Sequence, residues 1–569
     1  MEEYVYRGVG YRLNISPDRI LVIRNGRRVA GLLPAAEVKT VEERDGEFTE
    51  HPDIDGPAAL ERLGDSAFLW RTRSAAWEKE YRLDCDPEGF EFSVTVRGRG
   101  SIGQVNYFAR AREDGPTTGS VYHFCEYFIP CAGTDANFRS VMPASLSYRS
   151  FVELLIPPPF CFSFRTEGLD GRFALGLAAR EGEYNFLHYD YRCVQNESHR
   201  YGFFVSTDLE GHTKVNGAYE LPKIRAFFVE SDLDAVRKYS EYHYSRGLCR
   251  RRDYSGAPRW WKGPIVCGWN EQERFAVDGK TQKSTATQQV YEEIAELIRQ
   301  RGIHPTILII DDKWQKAYGD CLPDPEKWPD MRGFVDEMHR RGIHVLLWFR
   351  LWGGEGLPED EIMPGEGNPY HGGRLDMPPY ADPSNPKYRE HLKKILRTLL
   401  SDEEGCMNCD GFKLDYAVVM PYGKTAKSYG GQYGAELTKR LYTLIYETAK
   451  AIKPDALINA SPCHPYFAEV CDEARLHDCC WDLRNETEQM TLRAKLFDAV
   501  MPGVPIDTDC ADYDDREDAM RYFRNASKIG IPDIYRFFND QYFQLSENDW
   551  KEITQLFNAY RDRIDGEGD

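Results

Sequence analysis

Gly411-Phe412-Lys413-Leu414-Asp415-Tyr416 is a short apolar run that delivers a lysine and an aspartate to one place. Side chains alternate along a strand, so Lys413 and Asp415 share one face and Phe412 and Leu414 the other. A carboxylate at the end of a buried strand costs stability unless it is paired, so Asp415 marks either an ion pair or a reacting group. A second carboxyl group follows in Arg475-Leu476-His477-Asp478-Cys479-Cys480-Trp481. Cleaving an acetal needs such a pair, one group nucleophilic or basic and the other protonated. Asp415, beside Lys413, suits the ionised role; Asp478, among apolar neighbours, suits the acid, with Asp482 as its fallback.

The elements that would hold these groups follow from the pattern around them. After Pro258-Arg259-Trp260-Trp261 the chain alternates strand and helix. Strands are expected at 264–269, 306–311, 344–349, 411–416, 456–461, 474–478, 505–509 and 533–537. Helices are expected at Gln289–Arg301, Pro329–Arg341, Lys387–Leu400, Leu437–Lys453 and Glu547–Arg563. Eight strands alternating with helices in this length predict an α/β (β/α)8 TIM barrel. The alternative, a doubly wound open sheet, lacks a Gly-x-Gly-x-x-Gly turn after the first strand.

The first 230 residues read differently, as short β-branched and aromatic runs such as Arg19–Ile23 and Phe90–Val96, broken by turns such as Asn25-Gly26. That pattern predicts an all-β antiparallel sandwich over 1–230. A linker helix is expected within 231–257, and the barrel occupies 258–569.

Chemistry in such a barrel belongs at the C-terminal strand ends. Those ends carry Trp269 and Asn270; Asp311, Asp312 and Trp314; Trp348, Arg350 and Trp352; Lys413, Asp415 and Tyr416; Asn459; Arg475 and Asp478; Asp507 and Asp509; and Arg536. Carboxylates interleaved with tryptophans suit a polyhydroxylated ligand, because carboxylates accept hydroxyl hydrogen bonds and indoles stack on sugar C–H faces. Each piece alone has a plainer reading. Asp311-Asp312 could cap a helix, His477 could be an ordinary core histidine, and Asp507 to Asp515 could form a solvated loop. Their joint placement is what those readings explain poorly.

The formal charge of −20 argues against nucleic acid or an anionic membrane as partner; a homo-oligomer is left open, since oligomeric state is not readable from the sequence. The amino terminus has neither a basic nor an apolar leader segment, so a cytoplasmic location is expected. The fifteen cysteines are irregularly spaced and read as thiols in a reducing compartment. Cys406-Met407-Asn408-Cys409 is a lone C-x-x-C without nearby histidines, a weak metal signal.

Three stretches taken together resemble one group of enzymes. They are Ile309-Ile310-Asp311-Asp312-Lys313-Trp314-Gln315, Lys327-Trp328-Pro329-Asp330-Met331, and His339-Arg340-Arg341-Gly342 running on to Trp348. With Ala381–Pro386, Gly411–Tyr416 and Arg475–Asp478 they are similar to the α-galactosidase-type retaining glycoside hydrolases, families 36 and 27 of clan D. The all-β first half is closest to the family 36 layout. The resemblance implies Asp415 as nucleophile and Asp478 as general acid and then base. It further implies Asp311, Asp312, Trp314, Trp348, Lys413, Arg475 and Trp269 around the sugar, and no metal or organic cofactor. The chain departs from the pattern in placing Asp478 three residues after Arg475 rather than four. It also lacks Pro-Glu at the third strand end, and the usual C-terminal β-domain is expected to be missing. The expected activity is hydrolysis of terminal α-galactosides. Another sugar, transglycosylation, a catalytically silent sugar-binding relative, or a metal-dependent hydrolase using Asp507, Asp509 and Asp512 are the alternatives.

Overall fold

The computed structural model describes residues 3–128, 139–141, 148–149, 157–195, 201–276, 280–365, 379–417, 420–476, 486–509, 515–539 and 543–566. His477, Asp478, Trp481 and Asp482 lie outside the described residues, as does Asp512.

Among the described residues, the strand pairs of the amino-terminal half are antiparallel. Its strand Trp77–Asp86 alternates buried and less buried residues, the mark of a sheet with one face on a core. Asn25 and Gly26 both take positive φ and close the tight hairpin between Arg19–Arg24 and Arg27–Leu32. Two long strands, Gly89–Tyr107 and Tyr201–Glu220, pair along much of their length, with a register shift between Ile102 and Gln104. Two packed layers result, forming a sandwich around a core that includes Trp70, Trp77, Tyr81, Phe92 and Tyr107.

The second half is a parallel barrel of eight strands: β1 (Ile265–Cys267), β2 (Ile307–Ile310), β3 (His344–Arg350), β4 (Gly411–Asp415), β5 (Leu457–Ala460), β6 (Glu473–Arg475), β7 (Ile506–Asp507) and β8 (Asp533–Ile534). They neighbour one another in chain order, with β8 beside β1. The ring closes between β7 and β8 through one bridge, Asp507 to Ile531. Two backbone bonds support it, Ile531 N–H to Ile506 O at 2.6 Å and Thr508 N–H to Ile531 O at 3.2 Å.

Several strands are shorter than expected because their last residues leave the ladder to reach the mouth. Trp269 is not a strand end: it begins a short helix, Trp269–Arg274. The connection from β5 to β6 holds a 3-10 turn, Pro465–Val470, rather than an α-helix, since Pro465 and the few residues available leave no room for a longer one. The outer helices fall close to expectation, for example Gln288–Arg301, capped by Thr287 and ended by the left-handed Gly302.

Helix Asp232–Ser245 fastens the two halves together. The Tyr239 hydroxyl donates to Leu177 O in the sandwich and lies 2.8 Å from His464 Nε2 in the barrel. The Tyr244 hydroxyl donates to Val500 O at 2.7 Å. The sandwich also braces the segment that leaves β4. Tyr433 donates from its hydroxyl to Glu210 and from its backbone amide to Asn185. Gly434 next to it has φ +58°, and a Cβ there would stand 2.2 Å from Phe186 O.

Candidate active site

β4 approaches β5 so closely that a Cβ at Gly411 would meet Leu457 O at 2.1 Å, and Gly411 itself has φ +152°. Only glycine fits, and that fit sets the strand that ends in Asp415. Parallel register then places Trp348 beside Lys413, Lys413 beside Asn459, and Asn459 beside Glu473. Arg350 is paired with Asp415 one step nearer the mouth, and Arg475 with Asp507.

Among the described residues, three groups donate hydrogen bonds to Asp415. Arg475 Nη2 donates to Oδ1 at 2.7 Å, the Tyr416 amide donates to the same oxygen at 2.7 Å, and Trp348 Nε1 donates to Oδ2 at 3.0 Å. All three donors suit a carboxylate. The Asp415 side chain is 17% exposed, against 1% for Arg475, so the anion reaches the mouth while its counter-ion stays beneath.

Lys413 does not touch Asp415. Its Nζ donates to Asp311 Oδ2 at 3.1 Å and to the Tyr535 hydroxyl at 2.7 Å, and lies 3.6 Å from Asp509 Oδ1. Burial works against the ammonium charge, but the Asp311 carboxylate, the Cys267 sulfur and the Asp509 carboxylate overrule it and hold its pKa well above the usual lysine value. Tyr535 donates in turn to Asp509, and Arg475 Nη1 donates to Asp509 Oδ2 at 3.0 Å. Lys413, Tyr535, Asp509, Arg475 and Asp415 thus form one chain of contacts. The cation that meets Asp415 is Arg475, not the lysine two residues before it.

The remaining predicted residues separate into wall and support. Trp348 is fully buried beneath the mouth, with the ring of Tyr318 at 5.9 Å and that of Tyr416 at 5.7 Å. Trp314 is fully buried behind it, its indole nitrogen donating to Trp348 O at 2.8 Å. Asp311 is buried and takes up Lys413, the Cys267 thiol at 3.0 Å and the Asp312 amide at 2.8 Å. Asp312 accepts from the Tyr318 hydroxyl at 3.0 Å. Trp269 is half-buried against a separate apolar cluster containing Trp261 and Cys267. The structure therefore gathers Asp415, Arg475 and Trp348 directly, with Asp312 linked through Tyr318, and sets Lys413, Asp311 and Trp314 behind them.

Residues not anticipated at the site are Tyr318, Tyr535 and the role of Asp509. Arg350 stacks between two tyrosines, 4.7 Å from the Tyr318 ring and 4.6 Å from the Tyr416 ring. Deeper still, Glu473, Asp507 and Asp533 face inward and are fully buried. Burial and the repulsion of Asp509 push the Asp507 carboxyl up to about 6, and burial with the Asp507 charge raises Glu473 and Asp533 well above the carboxylate range. Strand alternation was the available signal: if Arg475 and Tyr535 face inward, so do Glu473 and Asp533 two residues before them.

Residues 258–461 match the family model described as the glycosyl hydrolases family 31 TIM-barrel domain. The motifs had pointed to families 36 and 27; the model that matches is that of family 31. Among proteins with curated functions, no sequence matches the chain. Among solved structures, the chain is similar to a family 31 sulfoquinovosidase from E. rectale in complex with an aza-sugar inhibitor. The identity is 13% and the TM-score 0.56, over 96% of this chain and 82% of that one. It is also similar to an α-galactosidase from Thermus thermophilus in complex with stachyose, at 14% identity and a TM-score of 0.50, over 88% and 99%. A family 31 α-xylosidase from a soil metagenome, complexed with xylose, follows at 11% identity and 0.50, over 99% and 85%. At these identities the likeness is one of fold. The barrel is that of a glycoside hydrolase.

Proposed function

We propose that the protein is a retaining exo-α-glycosidase with Asp415 as its nucleophile, acting on terminal α-linked galactose. The observation that carries this reading is the Asp415 carboxylate at the end of β4, held by Arg475 at 2.7 Å and Trp348 at 3.0 Å and still reaching the mouth. In the first step an Asp415 oxygen bonds to the anomeric carbon, the glycosidic C–O bond breaks, and the leaving oxygen takes a proton from the general acid. In the second, water attacks the same carbon, gives its proton to that group, and releases Asp415. Asp478 is assigned as the acid and base, with Asp482 as the second choice. Trp348 steadies the Asp415 carboxylate through its indole N–H, and Asp312 accepts a hydroxyl in exchange for that of Tyr318.

One observation favours a second sugar. Arg350, fixed between Tyr318 and Tyr416 beside Asp415, would recognise an acidic substituent on the ring.

A panel of aryl α- and β-glycosides, including sugars with sulfonate and carboxylate groups, tests both readings. Asp415→Ala is expected to lower turnover by roughly 10⁴-fold or more. A 2-fluoro glycosyl fluoride of the active sugar is expected to label the peptide containing Asp415. Full activity of Asp415→Ala, or labelling elsewhere, would remove the mechanism. Activity on a non-galactosyl α-glycoside alone would remove galactose and keep it.

A further inference from the structure

Below Asp415 and Arg475, the barrel interior holds more carboxyl groups than it holds cations. Asp507, Asp509 and Asp533 are fully buried, and one carboxylate oxygen of each lies within 4.8 Å of the others. Glu473 adds a fourth buried carboxyl group, joined to Asp507 through the Asn459 amide, which donates to Glu473 Oε1 at 2.6 Å and to Asp507 Oδ2 at 2.8 Å. Of the cations of this layer, Arg475 lies 3.0 Å from Asp509 Oδ2, and Lys413 donates to Asp311 at 3.1 Å with Asp509 Oδ1 at 3.6 Å. Asp507 Oδ1 takes the Asp509 amide at 2.9 Å.

Asp533 is left over. Both its carboxyl oxygens are buried without a hydrogen-bond donor among the described residues, and so are Glu473 Oε2 and Asn459 Oδ1. Every one of these orphan atoms is an acceptor. A buried carboxylate with neither donor nor counter-ion is strongly disfavoured, and protein folds meet that demand with a paired charge or a bound cation. The donor set is oxygen only, which excludes the sulfur and nitrogen preferences of zinc and copper. Ligands on opposite sides of a calcium-sized ion stand up to about 5 Å apart, which matches the observed spread.

We infer that Asp533, Asp507 and Asp509 hold one hard divalent cation, of the calcium or magnesium class, inside the barrel. Its role is structural. Asp415 is not among its ligands, so it neither polarises the substrate nor activates water. It offsets the charge of the carboxylates beneath Arg475 and so steadies the Asp509 anchor that positions Arg475 against the nucleophile. The assignment holds whichever glycoside is the substrate.

Elemental analysis of the full chain, purified without chelator and dialysed against metal-free buffer, is the first test. About one equivalent of calcium, magnesium or manganese is expected, falling below a tenth in Asp533→Asn. Melting of the wild-type chain after chelator treatment is expected to rise by several degrees when calcium or manganese chloride is restored, which keeps the test valid if Asp533→Asn does not fold. A metal-free wild-type chain whose melting ignores added calcium, magnesium and manganese would overturn the proposal and make protons the counter-ions. Retention of a full equivalent by folded Asp533→Asn would overturn the ligand assignment.

Discussion

Arg475 serves two carboxylates, and that double role makes its chemistry hard to replace. Its guanidinium spans Asp415 and Asp509 from one rigid plane, which a lysine ammonium cannot do. Arg475→Lys is expected to keep the fold and lower kcat on the order of 10²-fold, with a smaller change in KM. Trp348→Phe keeps an aromatic ring against Tyr318 and Tyr416 and deletes one donor to Asp415. Steady-state kinetics should show a loss of about tenfold in kcat/KM, the size of a single hydrogen bond to a charged group. A larger loss would mean that the indole also sets the position of β4. Backbone strain collects in the same place. Lys313, Trp352, Tyr416 and Asp509 all have positive φ, and each lies within three residues of a barrel strand's C-terminal end. Such conformations cost about 1–3 kcal/mol each and persist where surrounding structure enforces them.

At the scale of elements, the sandwich supports the segment that leaves β4 through Glu210 and Tyr433. Burial, with Asp208 nearby, pushes the Glu210 carboxyl up to about 7. A group that binds its proton more tightly when folded adds stability below its unfolded value near 4.5 and loses it as pH rises towards 7. Urea titrations should therefore show stability falling between pH 5 and pH 7 by about 3 kcal/mol at most from this site, and Glu210→Gln should flatten that fall. An unchanged slope in Glu210→Gln would assign the effect to another group. The first barrel strands were readable because β1 and β2 are buried, short, apolar runs bounded by Pro and by Gly or Asp. The strand termini were less so: 505–509 and 533–537 read as strands, but after Asp507 and Ile534 the backbone leaves the ladder while keeping strand-like residues. Asp415 and Arg475 were legible from local pattern. Their contact was not, because it joins β4 to β6 across the mouth. Lys413 misled for the same reason, since sharing a face with Asp415 does not fix which carboxylate a long side chain meets.

Across the whole molecule, the two halves stand as one through helix Asp232–Ser245, so damage to that helix should be felt in both. Tyr239→Phe removes a hydroxyl that contacts both Leu177 and His464, and is expected to cost about 1–3 kcal/mol in a single cooperative urea transition. Two separated transitions would show that the halves unfold independently. The ring itself is uneven: β3 and β4 pair over five residues, whereas β7 and β8 meet at one bridge. In native-state hydrogen exchange, the amides of Ile531 and Thr508 should therefore exchange through small local openings that respond weakly to urea, while those of Phe349 and Leu414 wait for global unfolding. The barrel thus has a seam, and it runs directly beside Asp507 and Asp533. Brief parting of that seam is expected to give solvent and small ions access to the buried carboxyl groups beside it.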